Sequence, residues 1–159
     1  MVDTEMLNNI EVRKILDDEV VPYDLLLDAD PSIEVIESYL HSSEIYIALL
    51  ENTIIGIFVL YPVDGNTLEI KNIAVAEKHQ RKGVGRFLLK TAAKIALLKG
   101  AKKLDIATSN ASFEALSLYQ KAGFDMVSLK KNYILENYPE ALFDNGIQCK
   151  HMILLSKKL

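Results

Sequence analysis

The sequence has one cysteine, no tryptophan and no long apolar run. Cys149 alone can form neither an intrachain disulfide nor a cysteine-rich zinc site, and nothing pairs it with a catalytic histidine, so it reads as a small buried apolar residue. His41, His79 and His151 lack metal-ligand spacing, and no metal is expected. The most apolar stretches, such as 54–61, fall far short of the roughly 20 residues a membrane span requires. The acidic amino-terminal segment lacks the basic-then-apolar pattern of a signal peptide, so a cytoplasmic location and no membrane partner are expected. Repeats, low-complexity tracts and linkers are also missing. At 159 residues the chain is expected to form a single domain over 1–159, with one active site.

Charge is unevenly spread. Residues 1–70 hold 15 acidic and two basic residues, whereas 71–159 hold seven acidic and 16 basic. Between 78 and 103 lie nine basic residues and no acidic one, a local field suited to a polyanion or, for the helix lysines, a solvated face. Nucleic-acid binding through this strip is disfavoured by the acidic first half.

The pattern of apolar residues gives the order of elements. A strand over 10–16 is followed by helices over 22–29 and 31–41, the second with Asp30 as its cap and Pro31 in its first turn. Strands over 44–51 and 54–61 form a hairpin around Asn52-Thr53, and a turn at Asp64-Gly65-Asn66 leads into a strand over 68–75. Apolar or small residues at 84, 87, 88, 91, 92, 95 and 98 have a helical period, closed by Gly100. A strand over 103–108, a helix over 113–122, strands over 125–131 and 148–155, and a helical excursion around 138–143 complete the chain. This order implies an α/β fold (α+β mixed), with helices on the faces of a mixed sheet.

Where the strand over 68–75 runs into glycines and then a helix, backbone N–H groups gather at a helix N-terminus, a site for phosphates. Gly83 and Gly85 are read as keeping the backbone open to a diphosphate, with Arg81, Lys82 and Arg86 adding positive charge. A Walker loop fails because Arg86-Phe87 follows Gly85, and a dinucleotide fingerprint fails because Leu88 replaces its third glycine. What survives is Gln80-Arg81-Lys82-Gly83-Val84-Gly85.

With this loop, the preceding strand Leu68–Val75 and the segment Leu118-Tyr119-Gln120-Lys121-Ala122-Gly123-Phe124, the sequence resembles the GCN5-related N-acetyltransferase (GNAT) superfamily, well over 44–130 and loosely at the ends. The resemblance implies a GNAT fold: a twisted, mostly antiparallel sheet of about seven strands flanked by four to five helices. It also implies acetyl-CoA as cosubstrate and an amine acceptor as the other partner. By the same resemblance Gln80, Arg81, Lys82, Gly83, Val84, Gly85 and Arg86 wrap the diphosphate, and the backbone of Ile73, Ala74 and Val75 holds the pantetheine arm with the Ile73 N–H on the acetyl oxygen. A homodimer is compatible with it.

Acyl transfer needs an oxyanion donor, a proton acceptor for the ammonium and an acid near the leaving sulfur. The resemblance casts Tyr119 as the acid; a half-buried packing aromatic is its plainer reading. Glu69, eleven residues before Gln80, stands where relatives carry a general base, and is equally an exposed strand glutamate. Asn110 resembles an asparagine that contacts pantetheine, but its nine-residue spacing from Tyr119 puts Ser112 at the usual place, and either can serve. The acceptor is expected to be a small cationic primary amine, with Asp24, Asp28, Asp30, Glu34 and Glu37 on one wall and several tyrosines in reserve as aromatic lining. A peptide or protein amine, or a non-catalytic CoA-binding or partner-interaction module, are the alternatives. The tail Asn145–Cys149 resembles a bacterial branch with members called indoleacetate acetyltransferases, a substrate these residues do not themselves support.

Overall fold

The computed structural model describes residues 2–159. Thr4–Asn8 (α1) is a single turn, capped by Asp3, whose carboxylate accepts the Met6 N–H at 3.0 Å. Then come Glu11–Lys14 (β1), Tyr23–Ala29 (α2), Ile33–Leu40 (α3), Glu44–Leu50 (β2), Thr53–Pro62 (β3) and Thr67–Val75 (β4). Val84–Leu98 (α4), Lys103–Ser109 (β5), Phe113–Lys121 (α5), Asp125–Lys130 (β6) and Tyr133–Asn137 (α6) follow, before Phe143–Asp144 (β7), Ile147–Gln148 (β8) and Met152–Lys158 (β9).

Seven strands form one sheet in the order β1-β2-β3-β4-β5-β9-β6, antiparallel everywhere except between β4 and β5. The expected mixed, mostly antiparallel architecture holds, with six α-helices rather than four to five. Leu88, Leu89, Ala92 and Ala96 of α4 are buried with Phe58, Ile70, Leu104 and Ile106 in the main core. Leu26 of α2 and Ile36 of α3 are buried with Ile47, Ile57 and Val59 in a second core.

Several boundaries depart from the sequence reading, each for a local reason. Ser32 caps α3, its hydroxyl accepting the Val35 N–H at 3.2 Å, so Pro31 lies before the cap and Asp30 is left for another task. The β2–β3 turn is Glu51-Asn52, both at positive φ (50° and 65°). The helical turn expected at 138–143 forms five residues earlier, as α6. Asn145-Gly146, with φ of 53° and 74°, closes the β7–β8 hairpin, and β9 begins only after it.

Two features open the sheet. Val59 pairs with Asn72 and Leu60 with Ile70, which leaves Lys71 as an extra residue in β4. The parallel ladder to β5 runs from Thr67 to Ile70 and stops there, while β5 continues on β9 as far as Ser109. On the far side, Asn72 is 4% exposed and donates to the Leu26 carbonyl (3.0 Å) and the Tyr39 hydroxyl (3.1 Å), tying α2 and α3 to the freed half of β4.

Part of the charge asymmetry is internal. Glu44 of β2 takes Lys99 at 2.7 Å and Lys14 at 2.9 Å, linking the end of α4 to the acidic half. Lys103 lies 3.9 Å from Asp105. No helix of the described residues is long and apolar enough to cross a membrane.

The hydrogen bond from Lys99, with that from Lys14, holds the Glu44 carboxyl down at about 2 against an ordinary 4.5. A depressed carboxylate stabilises the fold fully above its unfolded value and loses that contribution as pH falls through the folded one. Glu44→Gln should therefore cost about 0.5–1 kcal/mol at neutral pH, as expected for a partly exposed pair, with the difference fading as pH falls from 4.5 towards 2. Urea unfolding across that range measures it; a pH-independent difference would mean the pairs contribute nothing.

Candidate active site

β4 presents a free edge past Ile70. Ala76 donates to the Ile55 carbonyl at 2.8 Å, and the alternation of an antiparallel pair then turns the peptide groups of Asn72 and Ala74 towards β3 and those of Ile73 and Val75 away from it. The Val75 carbonyl accepts from Gln80 Nε2 at 2.9 Å, which leaves the Ile73 and Val75 N–H groups facing the opening.

The opening continues as a groove of about 470 Å³ bordered by Ile73, Ala74, Val75, Gln80, Arg81, Gly83, Gly85 and Arg86 on one side and Leu118 of α5 on the other. Arg81 (φ 59°) and Gly83 (φ 90°) turn the chain into α4, whose first turn has no side-chain cap. Its N–H groups are unclaimed by the helix and available to an anion. Val84 is buried in the core and Lys82 turns to the amino-terminal segment, its carbonyl accepting the Asp3 N–H at 3.1 Å.

Gly83, expected to keep the backbone open to a diphosphate, serves the turn instead. A Cβ on Gly83 would meet Val2 at 3.2 Å and Leu7 at 3.5 Å, so that face is covered by the amino-terminal segment, and glycine is required there by its left-handed φ. A Cβ on Gly85 would meet only the Leu118 side chain at 3.3 Å, the mobile end of a leucine.

Beyond Ile73 the groove leads into a central chamber of about 360 Å³ that has Ile73, Ser112, Tyr119 and Cys149 in its walls. Tyr119 is 8% exposed and tilted against Phe124, and burial pushes its hydroxyl up to about 12, so it holds its proton at neutral pH. Ser112 Oγ lies 2.8 Å from Ser109 Oγ. Asn110 is occupied elsewhere: its Oδ1 accepts from the Lys150 and His151 amides at 2.8 and 3.0 Å, and its Nδ2 donates to the Gln148 carbonyl. Of the two alternatives, Ser112 faces the chamber.

Glu69 lies further on, in a second chamber of about 240 Å³ that also carries Tyr39, Tyr61, Tyr133 and Tyr138. Its carboxylate is 16% exposed and bonded to Lys71 Nζ at 3.3 Å, with that ammonium 5.2 Å from the Tyr61 ring. Glu69 and Tyr119 thus line different compartments. Asp30 lines both, and its Oδ1 accepts the Tyr138 hydroxyl at 2.9 Å. Of the acidic residues expected on the acceptor wall, Asp28 and Asp30 reach a chamber, while Asp24, Glu34 and Glu37 line none of the three cavities. Tyr46 is core, stacked on Phe58. Tyr39, Tyr61, Tyr133 and Tyr138 line the second chamber, among the tyrosines held in reserve as aromatic lining, whereas Lys71 and Asp144 were not singled out; a bulge and a late hairpin leave no periodic signal. No group of three or more His, Cys, Asp or Glu among the described residues could hold a metal.

Comparison with known proteins places this geometry. The acetyltransferase (GNAT) family matches residues 11–124. An uncharacterized N-acetyltransferase, YvbK of Bacillus subtilis, is 42% identical over 92% of the chain and 93% of its own length. A GNAT acetyltransferase from Elizabethkingia anophelis, solved with acetyl-CoA bound, is 51% identical with a TM-score of 0.94, covering 96% of this chain and 99% of that one. A Bacillus cereus protein described as an IAA acetyltransferase is 39% identical with a TM-score of 0.89, covering 94% and 99%.

The two glycines should separate in a binding experiment. Gly83→Ala forces a side chain into a left-handed turn, at a cost of about 1–2 kcal/mol, and should weaken acetyl-CoA binding about tenfold in isothermal titration. Gly85→Ala should change it less than about threefold, because one leucine methyl can yield. Equal effects would show that the turn conformation is not what the loop requires.

Proposed function

Since the chain belongs to the acetyltransferase (GNAT) family and is an acetyl-CoA-dependent N-acyltransferase, we propose that it acetylates a primary amine of a small molecule by direct attack on the thioester, as one catalytic domain. The observation that carries this reading is the line of three compartments: a groove at a helix N-terminus, a central chamber holding an amide donor and a protonated tyrosine, and a small tyrosine-walled chamber beyond.

In this mechanism the α4 N-terminus with Gln80, Arg81 and Arg86 takes the diphosphate, and the free edge at Ile73 and Val75 takes the pantetheine amides. The amine enters from the second chamber and forms an N–C bond to the carbonyl carbon, and the Ile73 N–H stabilises the developing oxyanion. The C–S bond breaks, and the thiolate takes the hydroxyl proton of Tyr119. Ser112 contacts the acyl end of the arm. A packing role alone would not require Tyr119 to border the chamber.

Two features favour a small cationic acceptor over a polypeptide. The charged residues of the central chamber are Asp28, Asp30, Asp144 and Lys71, a net negative set that suits an ammonium. The second chamber is only about 240 Å³, with the hydrogen-bonded Tyr138 and Asp30 in its wall, which suits a small amine better than a protein chain.

Tyr119→Phe should keep fold and acetyl-CoA affinity and lower kcat by about 10²-fold, less if product release limits turnover. Wild-type kcat in that variant, with chemistry shown to be limiting, would return Tyr119 to a packing role. In an acceptor panel, spermidine and phenylethylamine should exceed a lysyl tripeptide in kcat/KM by at least about tenfold, and the reverse order would favour a peptide or protein amine.

A further inference from the structure

Acyl transfer to an amine leaves a proton on nitrogen that a base must remove, and its position is constrained by the chambers. Glu69 borders only the second chamber and is held by Lys71. Asp30 borders both, so it is the carboxylate shared between the compartment with Ile73 and Tyr119 and the compartment through which the amine arrives. It sits in the extended link between α2 and α3, released from capping by Ser32. The Tyr138 hydroxyl (2.9 Å) and the Ser32 amide (3.2 Å) both donate to its Oδ1. Oδ2 accepts no hydrogen bond from a described residue.

We propose that Asp30, rather than Glu69, is the catalytic base, with Oδ2 as the proton acceptor and Tyr138 as the positioning residue that clamps the carboxylate from 108 positions along the chain. This rests on the acyl-transfer reading above. In the tetrahedral adduct the ammonium nitrogen gives one proton to Asp30 Oδ2, the C–S bond breaks, and the thiolate takes one from Tyr119. Asp30 then passes its proton to solvent through the second chamber, and solvent restores the tyrosine hydroxyl, so the balance is amine plus acetyl thioester to amide plus thiol. Burial raises the Asp30 carboxyl above its ordinary range, opposed by its two hydrogen bonds, which brings a carboxylate closer to the basicity the task needs. The titratable groups that line the two chambers with it are the phenols Tyr39, Tyr61, Tyr119, Tyr133 and Tyr138, the thiol Cys149, the carboxylates Asp28, Glu69 and Asp144, and the cations Lys71 and Lys130.

The test is the ratio of wild-type to variant kcat/KM against pH, in which the acceptor's own ionisation cancels, with methylamine, phenylethylamine and spermidine as probes. For Asp30→Asn the ratio should be about 10² at alkaline pH and fall towards one as pH drops, because a protonated Asp30 is no better than the amide. For Glu69→Gln it should stay level with pH. Tyr138→Phe removes a bond that favours the ionised form, so its rate should begin to fall at a higher pH than the wild type's; this variant decides the matter if Asp30→Asn does not fold. A level ratio for Asp30→Asn, an unmoved profile for Tyr138→Phe, or a pH-dependent ratio confined to Glu69→Gln would overturn the assignment. Acetyl-CoA affinity by titration should be unchanged in Asp30→Asn. No turnover of any probe by the wild type would instead overturn the small-amine reading, and this assignment with it.

Discussion

One surplus residue in a strand governs the architecture of the site. Lys71 has no partner on β3, and a strand that carries an unmatched residue bends and twists there. The ladder between β4 and β5 ends one residue earlier. From that point the sheet has an interior edge, with unpaired amides at Ile73 and Val75 in the middle of the protein rather than at its rim. Such an edge is a liability unless something pairs with it, and the proposed complement is a ligand with amides of its own. Everything else arranges itself around the gap: α4 starts at one end of it, α5 brings Tyr119 to its wall, and Asn72 pins the helices on the opposite face so that the gap does not close.

The helices and central strands were legible because they obey simple periods. The apolar positions of 84–98 can be satisfied only by a helix, and the alternation in 68–75 only by a strand buried on one face. The turn at 80–85 was legible for a different reason, since glycines between a strand and a helix mark a sharp change of chain direction. What escaped was non-periodic. The bulge at Lys71 depends on two strands being compared in space, and no single segment of the sequence announces it. Asp30 carried two readings, helix cap and acceptor wall; Ser32 takes the first, and Asp30 lines both chambers. The Asn145-Gly146 hairpin carried a strong local signal that the longer apolar run after it absorbed into one strand. Asn110 matched a pattern by residue type, yet its amide is spent on the 148–151 segment, while Ser112 two positions later faces the cavity.

The chemistry depends on a similar division between what is held and what is left free. Burial keeps Tyr119 protonated at neutral pH and raises the Asp30 carboxyl, and both side chains line the same chamber. Lys71 is paired with Glu69, so the carboxylate nearest the bulge already has a cation beside it. The clustering of acid in the first half of the chain and base in the second is likewise partly internal: Glu44 anchors the end of α4, while Arg86 at its start borders the groove.

The position of β9 has a consequence for how the protein comes into being. It is the last strand in the sequence, yet it lies between β5 and β6 and supplies both of their ladders on that side. While the chain is being synthesised, β5 has an open flank and β6 has no partner, although the diphosphate loop and α4 already have their core residues to hand. Met152 and Leu154, which help wall the second chamber, arrive with the same strand. A nascent chain can thus assemble a CoA groove before it has anywhere to put an amine. The seven-residue β9 also covers the open flank of β5, so until it docks that edge is exposed to other strands.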